Sequence, residues 1–562
     1  MSAQPELVTK LRPIVQVTPT QHGLFARGWS QSLTLTGGTG LRRVWDALEL
    51  RLVEGISDDH WCPQTAPGPV REAVERIRAE LQAHDMLVRV PKDWAVDATD
   101  SQPPTTATRA WLESVADHPW EAWARLAGHP FAVYGSGPVA WAAERALRQL
   151  DVAVEARPAP RALGRLIGVD GDPVAVAAGE RLVWASADDS VGLVLPAVDG
   201  LTVGGSFAQL RERVGMSRRV SAPTALHSLV GAAAVHRLVC AVAGLNDPGQ
   251  SRGARGQADA GWAAATVLVA RMDPLRAAYH PWLAVPPCVE RPVVWLQDAS
   301  VRLGALTDPE LGPAQDHDRD LIQQVPAAIH ALRHGAQVVA GVAPTGELAR
   351  VTAGTALVED IAGERLERPI VAGADDVDAA GRALRRAWVD LPAAGQLPEE
   401  TWAAHPAARR WWKALVLHFA ASPQLRVELL TDGVYRATAS APGFGSVTAI
   451  EATAGDAAAM AALGLVGRIQ WDHGAPRDGE HQLPATQVAI PTGASPSGRE
   501  PGGPVGWDDD AWSWPSGLRV SETDFQHRLR QLPDGRSLEL RAVLDPRVSD
   551  LSASHTLVEV RR

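Results

Sequence analysis

One stretch of the sequence, residues 130–157, most constrains what this chain can fold into. An apolar run at 131–134 (FAVY) is followed by a turn from Gly135 to Ala140 (GSGPVA), a helix-forming segment at 141–150 and a second apolar run at 152–154. Glu155 lies about 20 residues beyond Gly135, which is the spacing of an acid that binds a ribose. This order of strand, glycine turn, helix and strand predicts the beginning of a Rossmann-type domain.

The turn is less well suited to phosphate than this order suggests. Pro138 removes one backbone N–H from the first helical turn, where an anion-binding site needs its donors. Close packing of a strand against a helix explains Gly135 and Gly137 equally well. Gly135, Gly137 and Glu155 are therefore interpreted as a vestigial turn. We expect no cofactor, no metal and no catalytic residue.

Composition narrows the classes of partner. The 562 residues exceed one ordinary core, so several domains are expected, and the formal net charge of −11 disfavours nucleic acid. There is no run of 18 or more apolar residues, and the N-terminus lacks the apolar core of a signal peptide. Cys62, Cys240 and Cys288 lie far apart, which excludes a zinc site of four thiolates. The sequence predicts a cytoplasmic protein with no membrane or nucleic-acid partner.

The first 95 residues have the pattern of a small separate module. Short strands are predicted at 13–18, 23–27 and 30–36, helices at 40–53 and 69–85, and a closing strand at 86–90. This order is typical of a winged helix-turn-helix. The helix at 69–85 mixes Arg71, Arg76 and Arg78 with three glutamates, which suits a peptide groove better than a phosphate surface.

The chain is α/β, and composition divides it into four parts. Residues 96–110 are rich in Pro, Thr, Ser and Asp and form a linker after the module at 1–95. A degenerate Rossmann-like domain is predicted at 111–285. Residues 286–562 are predicted to form a C-terminal α/β domain, since strand and helix patterns alternate there, and this domain is expected to dock a partner.

A family resemblance follows from this layout. A winged-helix-like module, the turn GSGPVA, an alanine-rich helix ending in AVAGL and the segment HPWL occur in that order. The layout resembles ThiF-like (Ocin-ThiF-like) partner proteins of YcaO cyclodehydratases, which form azoles in thiopeptides and related ribosomal peptides. The resemblance implies that the N-terminal module recognises a precursor peptide, whose leader adds as a strand beside the module's third strand and lies against a helix. Carried onto this chain, the peptide-binding residues are Ser32, Leu33, Thr34, Leu35, Thr36, Arg71, Val74, Glu75 and Arg78.

The departures from the family pattern shape the functional hypothesis. Active ThiF-type enzymes have an Asn-Arg-Gln-type segment after the second strand and a cysteine-bound zinc, whereas this chain has EARPAPR at 155–161 and no Cys-x-x-Cys. Residues 375–388 and 446–470 are similar to YcaO proteins but lack clustered glutamates. The resemblance thus implies a non-enzymatic adapter that presents core Cys, Ser and Thr residues to a separate YcaO cyclodehydratase.

Other hypotheses remain open at this stage. The first alternative is an ATP-dependent, ThiF-like adenylating enzyme that uses Gly135, Gly137 and Glu155. The second is a nucleotide-dependent oxidoreductase. The expected partners of the adapter are the leader peptide and the YcaO enzyme, and a homodimer is the oligomeric form considered.

Overall fold

The structure is a computed structural model that describes most of the chain. The described residues are 6–29, 31–63, 65–92, 94, 103–155, 173–199, 204–217, 224–249, 266–282, 296–316, 323–474, 477–478, 481–482, 487–496, 518–533, 536–548, 551 and 555–561. Cys288 and most of the segment EARPAPR lie outside them.

The chain is mixed α/β with several small sheets, so the predicted α/β class is confirmed. It divides into two compact units, Met1–Ala260 with Thr266–Tyr279, and Gly261–Ala265 with His280–Arg562. The four-part division drawn from composition stays a prediction.

The first unit contains thirteen strands, seven α-helices and one short 3-10 helix (Asp58–His60) among its described residues. The strands are β1 (Leu7–Leu11), β2 (Gln16–Thr20), β3 (Gly23–Arg27), β4 (Ser32–Thr36), β5 (Ile56–Ser57), β6 (Leu87–Pro91), β7 (Phe131–Tyr134), β8 (Val174–Ala178), β9 (Arg181–Ala187), β10 (Val191–Val194), β11 (Val198–Asp199), β12 (Thr266–Arg271) and β13 (Arg276–Pro281). The helices are α1 (Thr39–Glu54), α2 (Gly68–Ala83), α3 (Thr106–Val115), α4 (Pro119–Ala127), α5 (Pro138–Gln149), α6 (Gly204–Arg213) and α7 (Ala225–Ala243).

Two small sheets build the N-terminal module. One has the order β5-β1-β6 and the other is the meander β2-β3-β4. The sequence pattern predicted one strand at 13–18, whereas the structure has β1 before Pro13 and β2 after it. The strand β1 was missed because its LVTKL sequence shows no strict alternation, although Val8 and Leu11 are buried. The meander, α1 and α2 share one hydrophobic core, to which Leu33, Leu35 and Ile77 belong.

Of the strand–turn–helix–strand pattern predicted at 130–157, the structure has the first strand, the turn and the helix, and a single bridge at Val154 stands in place of the second strand. The strand β7 leads through the glycine turn into α5, and Val154 then pairs in parallel with Phe131. The other side of β7 differs from a parallel dinucleotide fold, since β7 pairs antiparallel with β8 and β8 pairs antiparallel with β9. A tight turn at Gly179, whose φ is +61°, joins β8 directly to β9, and a connection this short can only return the chain antiparallel.

The helix α7 lies at the centre of the first unit. Of the described helices, it alone is long and apolar enough to cross a membrane, but 61% of its most apolar stretch is buried inside the protein. Arg237 lies within it at 1% exposure and forms an ion pair with Asp247, with 2.9 Å between Nη2 and Oδ2. This packing is that of a core helix.

We expect Gly231→Ala to destabilise the first unit by about 1–3 kcal/mol. Gly231 lies where α7 touches α5, and an added Cβ would stand 2.6 Å from the Val139 carbonyl oxygen and 2.7 Å from the Ala142 Cβ. Gly304→Ala is the matched control, since a Cβ there meets no atom of the described residues within 4 Å, and alanine should gain up to about 1 kcal/mol of helix propensity. Urea unfolding measures both, and equal effects of the two substitutions would contradict the packing.

The second unit contains the remaining elements. Its strands are β14 (Gln315–Asp316), β15 (Ala328–His334), β16 (Gln337–Ala343), β17 (Val371–Gly373), β18 (Gly395–Gln396), β19 (Gln424–Thr431), β20 (Val434–Ala441), β21 (Gly445–Glu451), β22 (Arg477–Asp478), β23 (His481–Gln482), β24 (Gln487–Ala489), β25 (Glu539–Ala542) and β26 (Thr556–Arg561). Its helices are α8 (Leu296–Leu306), α9 (Gly346–Leu366), α10 (Asp376–Trp388), α11 (Glu400–Ala403), α12 (Pro406–Lys413), α13 (Ala454–Gly474) and α14 (Glu522–Leu529).

The helix α13 organises the larger core of this unit. It packs against the sheet β14-β15-β16-β24 and against the sheet β18-β19-β20-β21. Glycines allow α13 to approach both sheets closely. A Cβ on Gly467 would lie 2.3 Å from Val342, and one on Gly464 would lie 2.6 Å from Val447. A third sheet, β17-β26-β25, brings the C-terminal strands beside α10.

Candidate functional site

The predicted peptide-binding strand, β4, lies at the edge of the meander. It pairs with β3, and no other described strand pairs with it. Leu33 and Leu35 are buried at 6% and 3% exposure, while the side chains of Ser32, Thr34 and Thr36 are exposed. The alternation predicted from SLTLT is therefore present.

The hydrogen bonds at both ends of β4 show which of its residues bond to β3 and which face outwards. Gly37 donates its N–H to the His22 carbonyl and Gly28 donates to the Gln31 carbonyl. Since bonded and non-bonded pairs alternate in an antiparallel ladder, Leu33 and Leu35 bond towards β3, and the backbone groups of Thr34 face away from it. The outward side of β4 thus offers N–H and C=O groups in the spacing that an added strand requires.

The two edges of the meander differ in how they are protected. The strand β2 contains Pro19, which cannot donate a ladder hydrogen bond. The strand β4 contains neither proline nor a charged residue, and its pairing with β3 is regular. Proteins usually protect an exposed edge with charges, proline or a bulge. The absence of these features on β4 marks it as the edge open to pairing.

The helix α2 carries the other predicted residues, and they fall into two groups. Val74 is 3% exposed and belongs to the core of the module, so its side chain supports the fold and does not line the surface. Arg71 and Glu75 are exposed. Arg78 is half-buried, and its guanidinium lies 5.0 Å from the centroid of the Trp61 ring.

Trp61 was not identified from the sequence. It is 2% exposed and precedes Cys62 in the turn between α1 and α2. A cation over an indole ring is attracted by the negative face of the ring. The arrangement holds the positive end of Arg78 in one place, and Arg71 donates to the Ala66 carbonyl at 3.4 Å. No pattern of spacing links a tryptophan in a turn to an arginine on the next helix.

The glycine turn has the backbone geometry of its predicted role as a sharp connection. Gly135 has a φ of +118° and Gly137 a φ of +88°, values that favour glycine. Gly137 precedes the first residue of α5, Pro138, and within the described part of the chain a Cβ at Gly137 would meet nothing within 4 Å. Glu155 donates its backbone N–H to the Phe131 carbonyl at 2.7 Å. The turn therefore joins β7 to α5 and leaves open space above Gly137.

Titratable groups elsewhere in the first unit serve structural roles. Burial raises the pKa of Cys240 to about 12, so this thiol is not a nucleophile. Asp188 is 2% exposed and accepts N–H bonds from Ser190, Val191 and Ser217. Burial opposes ionisation of Asp188, but these bonds outweigh it and lower its pKa. Within the described part of the chain, no three His, Cys, Asp or Glu side chains are grouped to hold a metal.

Comparison with known proteins gives structural similarity alone. No family model matches the chain, and no curated protein matches it. A heterocyclase solved with its substrate and cofactor is similar with a TM-score of 0.47 and 11% identity, over 99% of this chain and 94% of that chain. The heterocyclase TruD is similar with a TM-score of 0.43 and 11% identity over the same shares. MccB of E. coli, solved with AMPCPP and MccA, has a TM-score of 0.32 and 7% identity, over 49% of this chain and 96% of that chain.

One prediction from the sequence is corrected here. The chain was predicted not to be an enzyme, because the ThiF-type segment and the cysteine pairs are missing. The two heterocyclases are similar over 99% of this chain and MccB over 49% of it. Heterocyclases are enzymes, which contradicts the non-enzymatic assignment, and the assignment is withdrawn. Missing motifs of one family did not justify an inference about catalysis by the whole chain.

Proposed function

We propose that this chain acts in the heterocyclisation of a ribosomally synthesised precursor peptide, whose leader region binds to the module at residues 1–95. In such a reaction a Cys, Ser or Thr side chain of the peptide core adds to the preceding amide carbonyl, and loss of one water gives an azoline. We assign the ring-forming step to this chain together with a YcaO cyclodehydratase partner. The observation that carries the proposal is the unprotected outer edge of β4.

The finer architecture belongs to the same proposal. Residues 1–95 are assigned as a winged-helix peptide-recognition module, 96–110 as a linker, 111–285 as a degenerate ThiF-like domain and 286–562 as a C-terminal α/β domain. Within the module, the leader adds as a strand beside Ser32–Thr36. Acidic leader residues meet Arg71 and Arg78, and the stacking of Arg78 on Trp61 reduces the entropy lost on binding.

We expect Thr34→Pro to weaken leader binding at least about tenfold. Proline removes the outward N–H of this position and leaves the N–H groups of Leu33 and Leu35 in the β3 ladder. Thr34→Val is the matched control, because it changes the side chain and keeps the N–H. Fluorescence anisotropy measures binding of a labelled leader peptide of a candidate precursor, and circular dichroism checks the fold. Unchanged binding by Thr34→Pro would rule out strand addition at β4.

The salt dependence of leader binding and the mass of the precursor peptide give two further tests of the proposed function. Arg71→Glu should reduce leader affinity more at low salt than at high salt, since exposed charges are screened. Mass spectrometry of the precursor peptide, incubated with the chain and the YcaO partner, should detect loss of one water per ring. A leader that binds without any such loss in the complete mixture would contradict a role in heterocyclisation.

A further inference from the structure

The second unit contains a cleft of about 700 Å³ that the proposed leader site does not use. Four elements meet there: the loop after β18, the junction of α11 with α12, the facing ends of β19 and β20, and the beginning of α13. Its walls are largely apolar and are formed by Leu397, Ala404, Pro406, Leu429, Ala452 and Ala454. A volume of this size is typical of sites for small ligands or short peptide segments.

His405 forms part of the cleft and is fixed in orientation. Its Nδ1 accepts the N–H of Ala408 at 3.3 Å, which caps α12, and its Nε2 lies 3.4 Å from Asp456 Oδ1. The ring packs directly on Gly455, where a Cβ would lie 2.7 Å from the ring. Because Nδ1 accepts a hydrogen bond, the neutral ring carries its proton on Nε2. His405 is thereby a positioned group, and its Nδ1 does not serve as a base.

The hydroxyl groups of the cleft include both hydrogen-bond acceptors and a hydrogen-bond donor. Thr401 donates its proton to the Pro398 carbonyl at 2.6 Å, and Thr453 donates to Asp456 Oδ2 at 2.5 Å. A hydroxyl has one proton and two lone pairs, and the Thr453 oxygen also accepts the Asp456 N–H at 3.1 Å. Both threonine oxygens therefore retain only acceptor capacity, which for Thr453 is one lone pair. Tyr435 is half-buried, and its hydroxyl has no hydrogen-bond partner among the described residues, which leaves it a proton to donate.

This combination selects an uncharged ligand. An anion is disfavoured because Asp456 lies directly behind His405 and Thr453. Asp456 already interacts with both of these side chains, so a cation that paired with it would have to displace them. A ligand with N–H donors, a carbonyl acceptor and an apolar body matches the threonine oxygens, the tyrosine hydroxyl and the apolar walls. A peptide segment with small apolar side chains has all three features.

We propose that the cleft binds a short, uncharged segment of the substrate peptide core through its main-chain amide groups. The inference rests on the proposed function only in taking that segment to come from the precursor peptide. The cleft and the β4 edge are then two separate contacts with one substrate, the first for the core and the second for the leader.

A photoreactive tetrapeptide tests the cleft on the full-length protein. The probe is N-acetylated and C-amidated Ala-photoleucine-Ser-Ala, and mass spectrometry maps its cross-links while titration calorimetry measures its affinity. We expect cross-links to the segments at 397–406, 429–435 or 452–455. Ala404→Trp fills the cleft from an exposed position and should abolish both the cross-links and the binding. Cross-links confined to other segments would overturn the proposal.

The matched pair Tyr435→Phe and Tyr134→Phe tests the hydrogen bond. Each substitution removes one phenol hydroxyl, but only Tyr435 lines the cleft. Tyr435→Phe should weaken tetrapeptide binding about fivefold, and Tyr134→Phe should leave it unchanged. Equal affinities of the two variants would rule out a donor role for Tyr435. A probe with a free C-terminal carboxylate should bind more weakly than the amide, and the reverse order would contradict the charge argument.

Different experimental results would contradict the proposal about the cleft and the proposed function. Tetrapeptide binding to the cleft without any leader binding would contradict the function and support the cleft. Leader binding that persists in Ala404→Trp, with loss of the tetrapeptide, is the expected result. Retained tetrapeptide binding in Ala404→Trp would overturn the cleft and leave the leader site standing.

Discussion

Arg385→Met should lower the free energy of unfolding of the second unit by about 3–5 kcal/mol. Arg385 lies on α10 at 5% exposure, between Glu451 at 3% and Glu522 at 2%. Its Nη1 and Nη2 each lie 2.7 Å from a Glu522 oxygen, and Nη2 also lies 2.7 Å from Glu451 Oε2. Methionine preserves much of the volume and removes the only cation that contacts both carboxylates in the described structure.

The size of the expected destabilisation follows from the two buried carboxylates that remain when Arg385 is removed. Burial disfavours the charged form of Arg385, but Glu451 and Glu522 outweigh it and raise the pKa of the guanidinium. Burial also raises the pKa of Glu451, and Arg385 only partly offsets this. Without Arg385, the two carboxylates are buried together with no counter-charge, which costs more than the loss of an exposed ion pair.

The measurement compares this variant with a matched control. Arg426→Met removes an arginine whose side chain is 59% exposed beside Glu428, and it should cost less than about 1 kcal/mol. Hydrogen exchange of the segment at 376–388 in urea reports on the second unit specifically. The variant Arg385→Met with Glu451→Gln and Glu522→Gln should recover part of the loss. A urea midpoint of Arg385→Met equal to that of the wild type would contradict the account.

This network also shows where prediction from the sequence reached its limit. Arg385 and Glu522 are 137 positions apart, and neither stands in a local motif. The helix α10, Asp376–Trp388, can be recognised from its sequence, because its apolar and charged faces alternate with the helical period. The sequence indicated which residues are helical, but the folded chain alone shows which carboxylates the buried arginine meets.

The elements that were missed share a physical reason. The helix α9 (Gly346–Leu366) was not predicted because it is buried on nearly all sides, so its apolar residues show no strong period. The antiparallel pairing of β7 with β8 was hidden for a different reason, since strand direction depends on connections and not on composition. The β7–α5 turn was found because glycine and proline have local conformational effects.

The candidate sites differ in the same way, according to whether a local pattern or tertiary packing brings their residues together. The strand predicted over 30–36 is found at Ser32–Thr36, because period-2 alternation reports directly on which side chains face the core. On α2, spacing did not separate the buried Val74 from the exposed Arg71, and it gave no indication of Trp61. The cleft residues Thr401, His405, Tyr435 and Thr453 come from distant parts of the chain and converge only through tertiary packing.

The second large effect is on acid stability, and His555 is its source. The side chain is 4% exposed, and burial lowers its pKa to about 3, with Arg302 and Arg382 acting in the same direction and Asp378 opposing them. The unfolded chain binds a proton near pH 6.5, while the folded chain keeps this ring neutral down to about pH 3. Between these values the unfolded state holds the extra proton, so stability falls as pH falls.

The free energy of unfolding should fall by at most about 1.4 kcal/mol per pH unit because of His555. Between pH 6.5 and 4.5 this amounts to a loss of about 2–3 kcal/mol. Because carboxylates titrate in the same range, the measured quantity is the difference in slope between the wild type and His555→Gln. Glutamine cannot take up the proton, so the variant should lose less stability across this window, whatever its stability at neutral pH. His22→Gln, which removes an exposed histidine, should keep the wild-type slope. Equal slopes for the wild type and His555→Gln would show that the buried ring is not what makes the fold acid-sensitive.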